Sequence, residues 1–378
     1  MHKIVLTGGP CGGKTTAMSR IAERLESLGL RVFIVPESAT LLFKGGLSFA
    51  NTTPAQVVDL QGAMLDTTAS LEDSFETIAK TGNPSKTVLL CDRGSLDVKA
   101  FTPSEVWNTI LDNRQSSEGS MLARYDAVIH MVTAAIGAEE HYSLESNSTR
   151  TETPEQAAEA DRRLQDAWTG HPHFRVVDNS TDFDEKVRRV IGHVCQLVGI
   201  PEPIEAERRF LVSWDQATAP QGVHVVEAEI EQRYLLTRDH CIPRVRAWES
   251  RGHRIYTHTT KIRRPDGSSI EKERRISPRE YLEFLSQADP ERAPVRKKRA
   301  YFVWEGQYIE LDTYQDAPLQ VLEIEVPHMH SDVVLPPFLT AHKEITSNRA
   351  YSNYALAKWL ANPEVTATPE WIDRHGKL

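Results

Sequence analysis

The sequence predicts two domains of different class. We expect an α/β domain with a parallel sheet over residues 1–200 and an α+β domain built mostly of strands over residues 203–378. The first half alternates short apolar runs with helical stretches, whereas the second half consists mostly of strand-like segments with charges at alternate positions. Two prolines, Pro201 and Pro203, separate the halves. The length of 378 residues also fits two domains better than one.

Five apolar runs are the predicted strands of the first domain. They cover residues 3–6, 31–35, 87–91, 126–132 and 174–178. Their apolar residues are continuous rather than alternating, which is typical of a parallel sheet covered on both faces. Helices are predicted between them, including 14–28 and 154–168. The second helix has a clear start, because Thr153 can cap it, Pro154 can occupy its first position and Gln156 can complete a capping box.

Composition limits the class of function. The net charge of -9 argues against sequence-independent binding of nucleic acid or membrane surfaces. No apolar run approaches the roughly 20 residues of a membrane span, and the opening MHKIVLTGG enters a strand without a signal peptide. The four cysteines form no CxxC pair, which suits a reducing compartment. We therefore expect a cytoplasmic protein whose partners are small phosphates and nucleotides.

A phosphate-binding motif lies at the N-terminus. Residues 8–15, GGPCGGKT, match GxxxxGK[ST] after a strand and before a helix, the context that this motif requires. Gly8 and Gly13 allow backbone N–H groups to turn toward phosphate oxygens, and the helix N-terminus adds positive charge. Lys14 is expected to reach the β- and γ-phosphates of ATP or GTP. The Thr15 hydroxyl is expected to bind Mg²⁺, with Thr16 beside it.

Charged residues follow two of the predicted strands. Glu37 follows RVFIVP, and Asp92 with Arg93 follows TVLLC. Ligands of open α/β sheets bind at such carboxyl ends. Glu37 is a candidate base for an acceptor hydroxyl, Asp92 a candidate metal or water ligand, and Arg93 a candidate phosphate clamp. The alternative is that both acids are ordinary polar strand ends.

Residues 1 to about 195 resemble the small P-loop kinases related to nicotinamide riboside kinase and the deoxynucleoside kinases. The resemblance rests on GGPCGGKTT, VPES, CDRGSLD and NSTRTETPEQA. It implies an arginine-bearing lid over the transferring phosphate, with Arg150, Arg162 and Arg163 as candidates. Arg162 and Arg163 equally fit a solvated helix face. The resemblance leaves the acceptor open, and some proteins of this kind are NTPases or nucleotide sensors.

Charges recur at every second residue through the second half. The segments are EAERR (205–209), RVR (244–246), TTK (259–261), EKERR (271–275), KKR (297–299), ELD (310–312) and EIE (323–325). Such spacing places the charges of each strand on one face. A solvated sheet face is the simplest interpretation. Acids and bases, however, sort into separate strands, which favours a polar lumen that holds a divalent cation and a polyphosphate together.

This pattern resembles the CYTH family, the triphosphate tunnel metalloenzymes, whose first strand carries ExExK. Residues 205–209 carry arginine in place of the lysine. The match continues through QRYL (232–235), the charged segments above and EITSNRAYSN (344–353). The resemblance implies an eight-stranded antiparallel tunnel. Another segment, residues 227–231, also reads ExExE, but it lacks the terminal base and leads into QRYL.

The same resemblance implies the roles of individual residues. The implied ligands of Mg²⁺ or Mn²⁺ are Glu205, Glu207, Glu323 and Glu325, with Glu310 and Asp312 supporting the metal or positioning water. The implied phosphate-binding residues are Arg209, Arg244, Arg246, Lys261, Arg275, Lys297 and Arg299. Glu271 and Glu273 would pair with cations of the lumen. Water activated by the metal would attack the terminal phosphorus and release orthophosphate.

Three hypotheses follow. The leading one is a two-domain phosphotransfer enzyme, in which the second domain hydrolyses a small triphosphate, either tripolyphosphate or a nucleoside triphosphate. Its first domain binds ATP or GTP and phosphorylates a small acceptor. The second hypothesis is a sensor of nucleotide and polyphosphate. The third is an RNA 5′-end kinase and triphosphatase, against which the net charge and the lack of an aromatic-basic stripe argue.

Overall fold

The chain is described by a computed structural model over residues 1–142, 152–200, 206–215, 219–220, 222–237, 241–263, 269–326, 330–362, 365 and 367–375. It divides into two compact units, Met1–Val194 and Cys195–Leu378. The sequence-based boundary lies a few residues later, at 200–203. We call the two units the nucleotide unit and the charged unit and describe each by itself.

The nucleotide unit is built on a parallel sheet of five strands. The strands are β1 (His2–Thr7), β2 (Arg31–Val35), β3 (Thr87–Asp92), β4 (Ala127–Met131) and β5 (Phe174–Val177). Their order is β2-β3-β1-β4-β5, and every pair is parallel. The predicted α/β class is confirmed, and each of the five strands overlaps one of the five apolar runs. The central strands β3 and β4 are almost entirely buried, as their continuous apolar sequence requires.

Helices cover this sheet. They are α1 (Lys14–Ser27), α2 (Ser38–Lys44), α3 (Pro54–Lys80), α4 (Ser95–Ala100), α5 (Ser104–Asn113), α6 (Glu118–Leu122), α7 (Pro154–Trp168) and α8 (Phe183–Leu197). The predicted start of α7 is correct, because Thr153 caps the helix and forms a capping box with Gln156. Within the described residues, no helix combines the length and apolar character that a membrane crossing needs.

The charged unit contains an antiparallel sheet of nine strands among the described residues. The strands are β6 (Ala206–Ser213), β7 (Val226–Tyr234), β8 (Cys241–Ser250), β9 (His253–Arg263), β10 (Ser269–Ile276), β11 (Val295–Trp304), β12 (Gln307–Tyr314), β13 (Gln320–Val326) and β14 (Thr340–Glu344). Their order is β10-β9-β8-β7-β11-β12-β13-β6-β14. The antiparallel β architecture is confirmed. The structure has one strand more than the eight expected, because the short exposed strand β14 pairs with β6.

Register and burial give the two faces of this sheet different chemistry. One face buries an apolar cluster that includes Phe302, Leu311 and Ile324. The opposite face carries the charged residues at its middle. At one end of that face, the helices α10 (Asn353–Leu360) and α11 (Pro369–His375) pack on an apolar cluster. The remaining helix of the unit, α9 (Pro278–Leu285), contacts β8 and β9.

A buried ion cluster around Glu72 is expected to stabilise the nucleotide unit. Glu72 of α3 is fully buried, and it accepts hydrogen bonds from Arg124 at 2.8 Å and from the Tyr125 hydroxyl at 2.6 Å. Lys3 lies 3.3 Å from the same carboxylate. Removing this acid leaves buried cations partly unpaired. We expect Glu72→Ala to lower the free energy of unfolding by about 3 kcal/mol or more.

Denaturant unfolding followed by circular dichroism measures this change. Asp73→Ala is the matched control, because Asp73 contacts the same arginine from a side chain that is 64% exposed. Its effect should stay within about 1 kcal/mol. Equal losses from the two variants would show that the buried acid is not the stabilising partner.

Candidate active sites

The phosphate loop occupies the turn between β1 and α1. Gly8 and Gly13 have φ angles of 139° and 84°, in the region that favours glycine. A Cβ atom at Gly8 would lie 2.1 Å from the Met131 carbonyl oxygen, so the loop packs directly on the end of β4. The Lys14 ammonium donates hydrogen bonds to the carbonyl oxygens of Gly8 at 2.8 Å and Gly9 at 3.0 Å. Burial, helped by nearby Arg93, lowers the pKa of Lys14 to about 8.

Acids from the ends of β2 and β3 gather beside this loop. Arg93 lies between them, with its Nε 2.7 Å from Glu37 Oε1 and its Nη1 2.9 Å from Asp97 Oδ1. Its backbone has a positive φ of 67°, which is uncommon for a residue other than glycine. Burial, and then the Glu37 charge, raise the pKa of Asp92. The structure therefore brings Lys14, Glu37, Asp92 and Arg93 together.

Asp97 is a member of this cluster that the sequence analysis missed. It accepts hydrogen bonds from the Thr7 hydroxyl at 2.5 Å, the Gly94 N–H at 2.8 Å and Trp168 Nε1 at 3.1 Å. These bonds and the Arg93 pair fix the start of α4. The available signal was an acid in the first turn of a helix that follows a strand end, where its side chain can cap the helix N-terminus, as Asp97 does through the Gly94 N–H.

A cavity of about 550 Å³ adjoins the cluster. Glu37, Asp92 and Arg93 line one part of it, and aromatic side chains including Phe43 and Phe101 line another. These two phenylalanines are 48% and 46% exposed, which is high for such large apolar side chains. The cavity therefore joins an apolar wall to the acids at the strand ends.

The other predicted nucleotide-binding residues differ in their placement. Thr15 and Thr16 are exposed in the first turn of α1, directly after the loop. Arg150 lies outside the described residues. Arg162 is 61% exposed and pairs with Glu159 at 2.8 Å, which is the arrangement of a solvated helix face. The Arg163 guanidinium lies 5.8 Å from the centroid of the Phe101 ring, beside the cavity.

In the charged unit, strand register places the predicted charges on one face of the sheet. Glu207 pairs with Glu325, Arg209 with Glu323, and Arg299 with Asp312. Opposed residues of an antiparallel pair point to the same face. We call this surface the charged face. The described charged side chains on this face are Glu207, Arg209, Arg244, Arg246, Lys261, Glu273, Arg275, Lys297, Arg299, Glu310, Asp312, Glu323 and Glu325.

Asp312 anchors a buried ion network on the charged face. Its two oxygens each accept a hydrogen bond from Arg299 at 2.6 Å, and Lys297 also donates to it. Asp312 and Lys297 are 0% and 1% exposed. Burial alone would raise the pKa of Asp312, but the two cations hold it well below its usual range. Burial and the Arg299 charge lower the pKa of Lys297 to about 8.

Glu323 and its neighbours form the acidic part of the charged face. Arg299 Nη2 donates to Glu323 at 2.8 Å, and Arg209 Nε donates to it at 3.1 Å. Arg209 also lies 3.4 Å from Glu207, whose side chain is 49% exposed. Desolvation by the surrounding protein, and then the Glu323 charge, raise the pKa of Glu207 to about 7. Glu325 contributes to this rise.

The basic part of the charged face lies on β8, β9 and β10. Arg246 Nη2 donates to the Gln232 side chain at 3.4 Å. Burial, reinforced by Arg244, lowers the pKa of Arg246, as two adjacent cations in a partly enclosed site require. Lys261 and Arg275 are half-buried on the neighbouring strands. Glu273 accepts a hydrogen bond from the Thr259 hydroxyl at 2.5 Å.

Two implied roles stay predictions in this geometry. Glu205 lies outside the described residues, as does the side chain of Glu271. Across the parts of the chain that the structure describes, no three acidic, histidine or cysteine side chains are arranged to hold a metal ion. Metal binding by Glu207, Glu310, Asp312, Glu323 and Glu325 therefore stays a prediction.

One family model matches the nucleotide unit. Residues 3–186 match the family model described as "AAA domain", a P-loop NTPase-like fold. The search of curated proteins found no match. The class that fold and motif define is a P-loop α/β domain, followed here by an antiparallel β unit.

Solved structures are similar to part of the chain. The inorganic triphosphatase NE1496 is 27% identical, with a TM-score of 0.31, over 42% of this chain and 96% of its own. PH1819 from Pyrococcus horikoshii OT3 is 21% identical, with a TM-score of 0.27, over 32% and 78%. HpAC1 from Hippeastrum, a putative adenylyl cyclase with a dominant triphosphatase activity, is 16% identical, with a TM-score of 0.26, over 32% and 80%.

The raised pKa of Glu207 predicts a dependence of stability on pH. Folding favours the protonated form of a carboxyl group whose pKa is higher in the folded state. The contribution of Glu207 to stability should therefore fall as the pH rises from about 4.5 to about 7. Glu207→Gln, which keeps the shape and removes the charge, should unfold at a higher temperature than the wild type at pH 8 and at nearly the same temperature at pH 4.

Differential scanning calorimetry at the two pH values checks this expectation. Glu229→Gln makes the same chemical change at an exposed position on the opposite face of the sheet, and should shift neither value. A Glu207→Gln protein that is less stable than the wild type at pH 8 would contradict the assigned electrostatic environment.

Proposed function

We propose that the protein is a two-unit phosphotransfer enzyme whose charged unit hydrolyses a small triphosphate with Mg²⁺ or Mn²⁺. The observation that carries the proposal is the charged face itself. Its register aligns a basic part, a network of paired charges and an acidic part on one side of a single sheet. A polyphosphate bound to a divalent cation presents the complementary charges. The protein's resemblance to the triphosphate tunnel metalloenzymes points the same way.

The basic part would bind the phosphate oxygens. Arg244 and Arg246 form a pair two residues apart on β8, with Lys261 and Arg275 on the next strands. Guanidinium groups suit this role because each can bind two phosphate oxygens at once. Burial lowers the pKa of Arg246, and repulsion from Arg244 lowers it further; an anionic ligand would relieve that repulsion. Arg299 already pairs with three acids, so we propose that it positions the acidic part and does not bind phosphate.

The acidic part would hold the metal. Glu207, Glu323 and Glu325 offer carboxylate oxygens, the ligands that Mg²⁺ and Mn²⁺ prefer, with Glu205 implied beside them. Desolvation, and then the charges of Glu323 and Glu325, raise the pKa of Glu207, which fits a site that gains from a bound cation. The metal supplies a Lewis acid and an activated water. Arg209, close to Glu207 and Glu323, would orient those carboxylates and offset charge on the terminal phosphate.

We propose that the nucleotide unit binds ATP or GTP and phosphorylates a small acceptor. The phosphate loop, Lys14 and Thr15 supply the nucleotide side. Glu37 and Asp92 stand at the edge of the cavity, where an acceptor hydroxyl would need a base and a metal ligand. Glu37 would have to release its ion pair with Arg93, which would leave Arg93 free to contact the transferring phosphate.

The cavity favours an acceptor without a phosphate group of its own. Its described lining contains five carboxylates and a single guanidinium, Arg93, which already pairs with Glu37 and Asp97. Glu72 also pairs with Arg124 and Lys3, which are not among the lining residues, but the lining itself carries more carboxylates than cations, and this disfavours an anionic acceptor. The wall that includes Phe43, Phe49 and Phe101 favours a flat apolar ring. The best-fitting acceptor is an uncharged alcohol that carries such a ring.

Calorimetric titration can test this choice of acceptor. Ring-bearing alcohols such as nucleosides should bind at least about tenfold more tightly than their own monophosphates, and Phe43→Ala should weaken binding. Phe183→Ala is a comparable control, since this partly exposed phenylalanine does not line the cavity. Tighter binding of the monophosphates would reverse the assignment.

A sensor that binds without catalysis is the second candidate. The engagement of Arg299 with three acids favours it, because acids that are already paired are less available to a metal. A protein that only binds polyphosphate needs the basic part of the charged face but not the acidic part. Hydrolysis assays therefore separate the two candidates.

The decisive assay compares two variants of the intact chain. Hydrolysis of tripolyphosphate, ATP, GTP and thiamine triphosphate is measured with Mg²⁺ or Mn²⁺. We expect Glu207→Ala to lower the rate on the preferred triphosphate by about a hundredfold or more, because an acid of the metal site is lost. Lys14→Ala should leave this rate unchanged.

Two results would count against the proposal. Loss of hydrolysis in Lys14→Ala alone would assign the activity to the nucleotide unit. Tight binding of tripolyphosphate with no hydrolysis in the wild type would support the sensor.

A further inference from the structure

One buried face of helix α7 carries polar groups that contact the phosphate loop and the start of α4. Asp161, Gln165 and Trp168 lie on this face, because they are four and three residues apart. All three are buried. At one end of the face, Asp161 accepts a hydrogen bond of 2.7 Å from the Gly9 N–H of the phosphate loop. At the other end, Trp168 Nε1 donates to Asp97 at 3.1 Å.

Four donors surround the Asp161 carboxylate. Oδ1 accepts from the backbone N–H groups of Gly9 at 2.7 Å and Thr133 at 3.0 Å. Oδ2 accepts from Gln165 Nε2 at 2.8 Å and lies 2.9 Å from His130 Nε2. Burial alone would raise the pKa of Asp161, but these donors, led by His130, hold it below its ordinary value. The carboxylate is therefore a fully satisfied buried anion behind the loop.

The histidine partner has a defined hydrogen-bonding role. His130 Nδ1 is buried and has no hydrogen-bond partner among the described residues. A hydrogen on that atom would be an unpaired buried donor, which costs more than a bare acceptor beside apolar groups. The geometry therefore assigns the hydrogen to Nε2, directed at Asp161. The pair acts as a donor and an acceptor, and the negative charge stays on Asp161.

The same contact explains a glycine that the phosphate-binding motif does not demand. Gly9 occupies a variable position of GxxxxGK. A Cβ atom there would lie 2.7 Å from Asp161 Oδ1 and 3.1 Å from Thr133 Cβ. The Thr133 hydroxyl also donates to the Pro10 carbonyl oxygen. The loop backbone is thus fitted against Asp161 and cannot move toward it or carry a side chain at this point.

We infer that Asp161 is a positioning residue that holds the first part of the phosphate loop in its nucleotide-binding shape. Through Trp168, the same helix face ties the loop to Asp97 and hence to Arg93. Asp161 does not touch the nucleotide and acts through the Gly9 amide. This inference rests on the proposed nucleotide binding by Met1–Val194.

Amide hydrogen exchange of the wild-type protein without nucleotide tests the contact itself. The Gly9 N–H should be as strongly protected as the buried amides of β1, because it is bonded to a buried carboxylate. Exchange of Gly9 at the rate of an unstructured amide, while β1 remains protected, would overturn the inference. This measurement needs neither a variant nor a nucleotide.

Calorimetric titration of Mg-ATP and Mg-GTP into the full chain tests the consequence. Asp161→Asn should weaken the binding of the preferred nucleotide by about tenfold or more, because the amide nitrogen would face the donors of His130 and Gln165. Glu159→Gln makes the same change on the solvent side of α7, where the side chain is 54% exposed, and should leave the affinity unchanged. Equal affinity in Asp161→Asn and the wild type would refute the positioning role.

A double-mutant cycle separates positioning from a general loss of structure. Gly9→Ala should also weaken binding, and the double variant should lose little more than either single variant. Additive losses would contradict the direct coupling. If Asp161→Asn fails to fold by circular dichroism, Gly9→Ala and the exchange measurement decide. A wild-type protein that binds neither nucleotide refutes the proposed nucleotide binding. The exchange measurement still shows whether the Gly9 N–H is bonded to Asp161.

Discussion

Charge that is removed from water must be paired, and this constraint shapes the charged unit. Asp312 has no exposure, yet it is ionised because Arg299 and Lys297 bond to it. Removing Asp312 would leave the buried Lys297 ammonium without the carboxylate to which it donates. Arg299 then reaches Glu310 and Glu323, so the network connects β11, β12 and β13. The position of the acidic part of the charged face depends on this network.

The nucleotide unit applies the same constraint to a different fold. Arg93 lies between Glu37 and Asp97, and Asp97 is in turn held by Thr7 and Trp168. These contacts link the ends of β1, β2 and β3 to helix α7. In both units, an arginine committed to carboxylates organises the groups that are proposed to act on phosphate. The difference is that Arg93 lines a cavity and is 19% exposed, which fits the proposed exchange of its Glu37 partner for the transferring phosphate.

Much of this organisation could be predicted from the sequence because it depends on local patterns. Continuous apolar runs give the parallel sheet, and charges two residues apart give the charged face, since strand geometry alone sends alternate residues to one side. The phosphate loop and the start of α7 are likewise encoded in a few adjacent residues. Glu37, Asp92 and Arg93 could be placed together because carboxyl ends of neighbouring parallel strands meet.

Other features depend on contacts between segments that are distant in sequence, and local sequence patterns do not predict such contacts. The pairing of Arg299 with Asp312 needs the register of β11 and β12, so the sequence assigned one to phosphate and the other to metal. Asp161 contacts Gly9, 152 residues away, and only the packing of α7 reveals it. The extra strand β14 also escaped prediction, because its residues are all exposed and carry no alternating pattern.

The central proposal is that water attacks a terminal phosphorus on the charged face. It is tested most directly by the cleavage of tripolyphosphate in ¹⁸O-labelled water, with phosphorus NMR as the readout. The Lys14→Ala chain should be used, so that the nucleotide unit is silent. We predict equal amounts of orthophosphate and pyrophosphate, with the heavy oxygen in the orthophosphate. Label in the pyrophosphate alone would contradict hydrolysis at the terminal phosphorus, as would a protein that cleaves none of the four triphosphates.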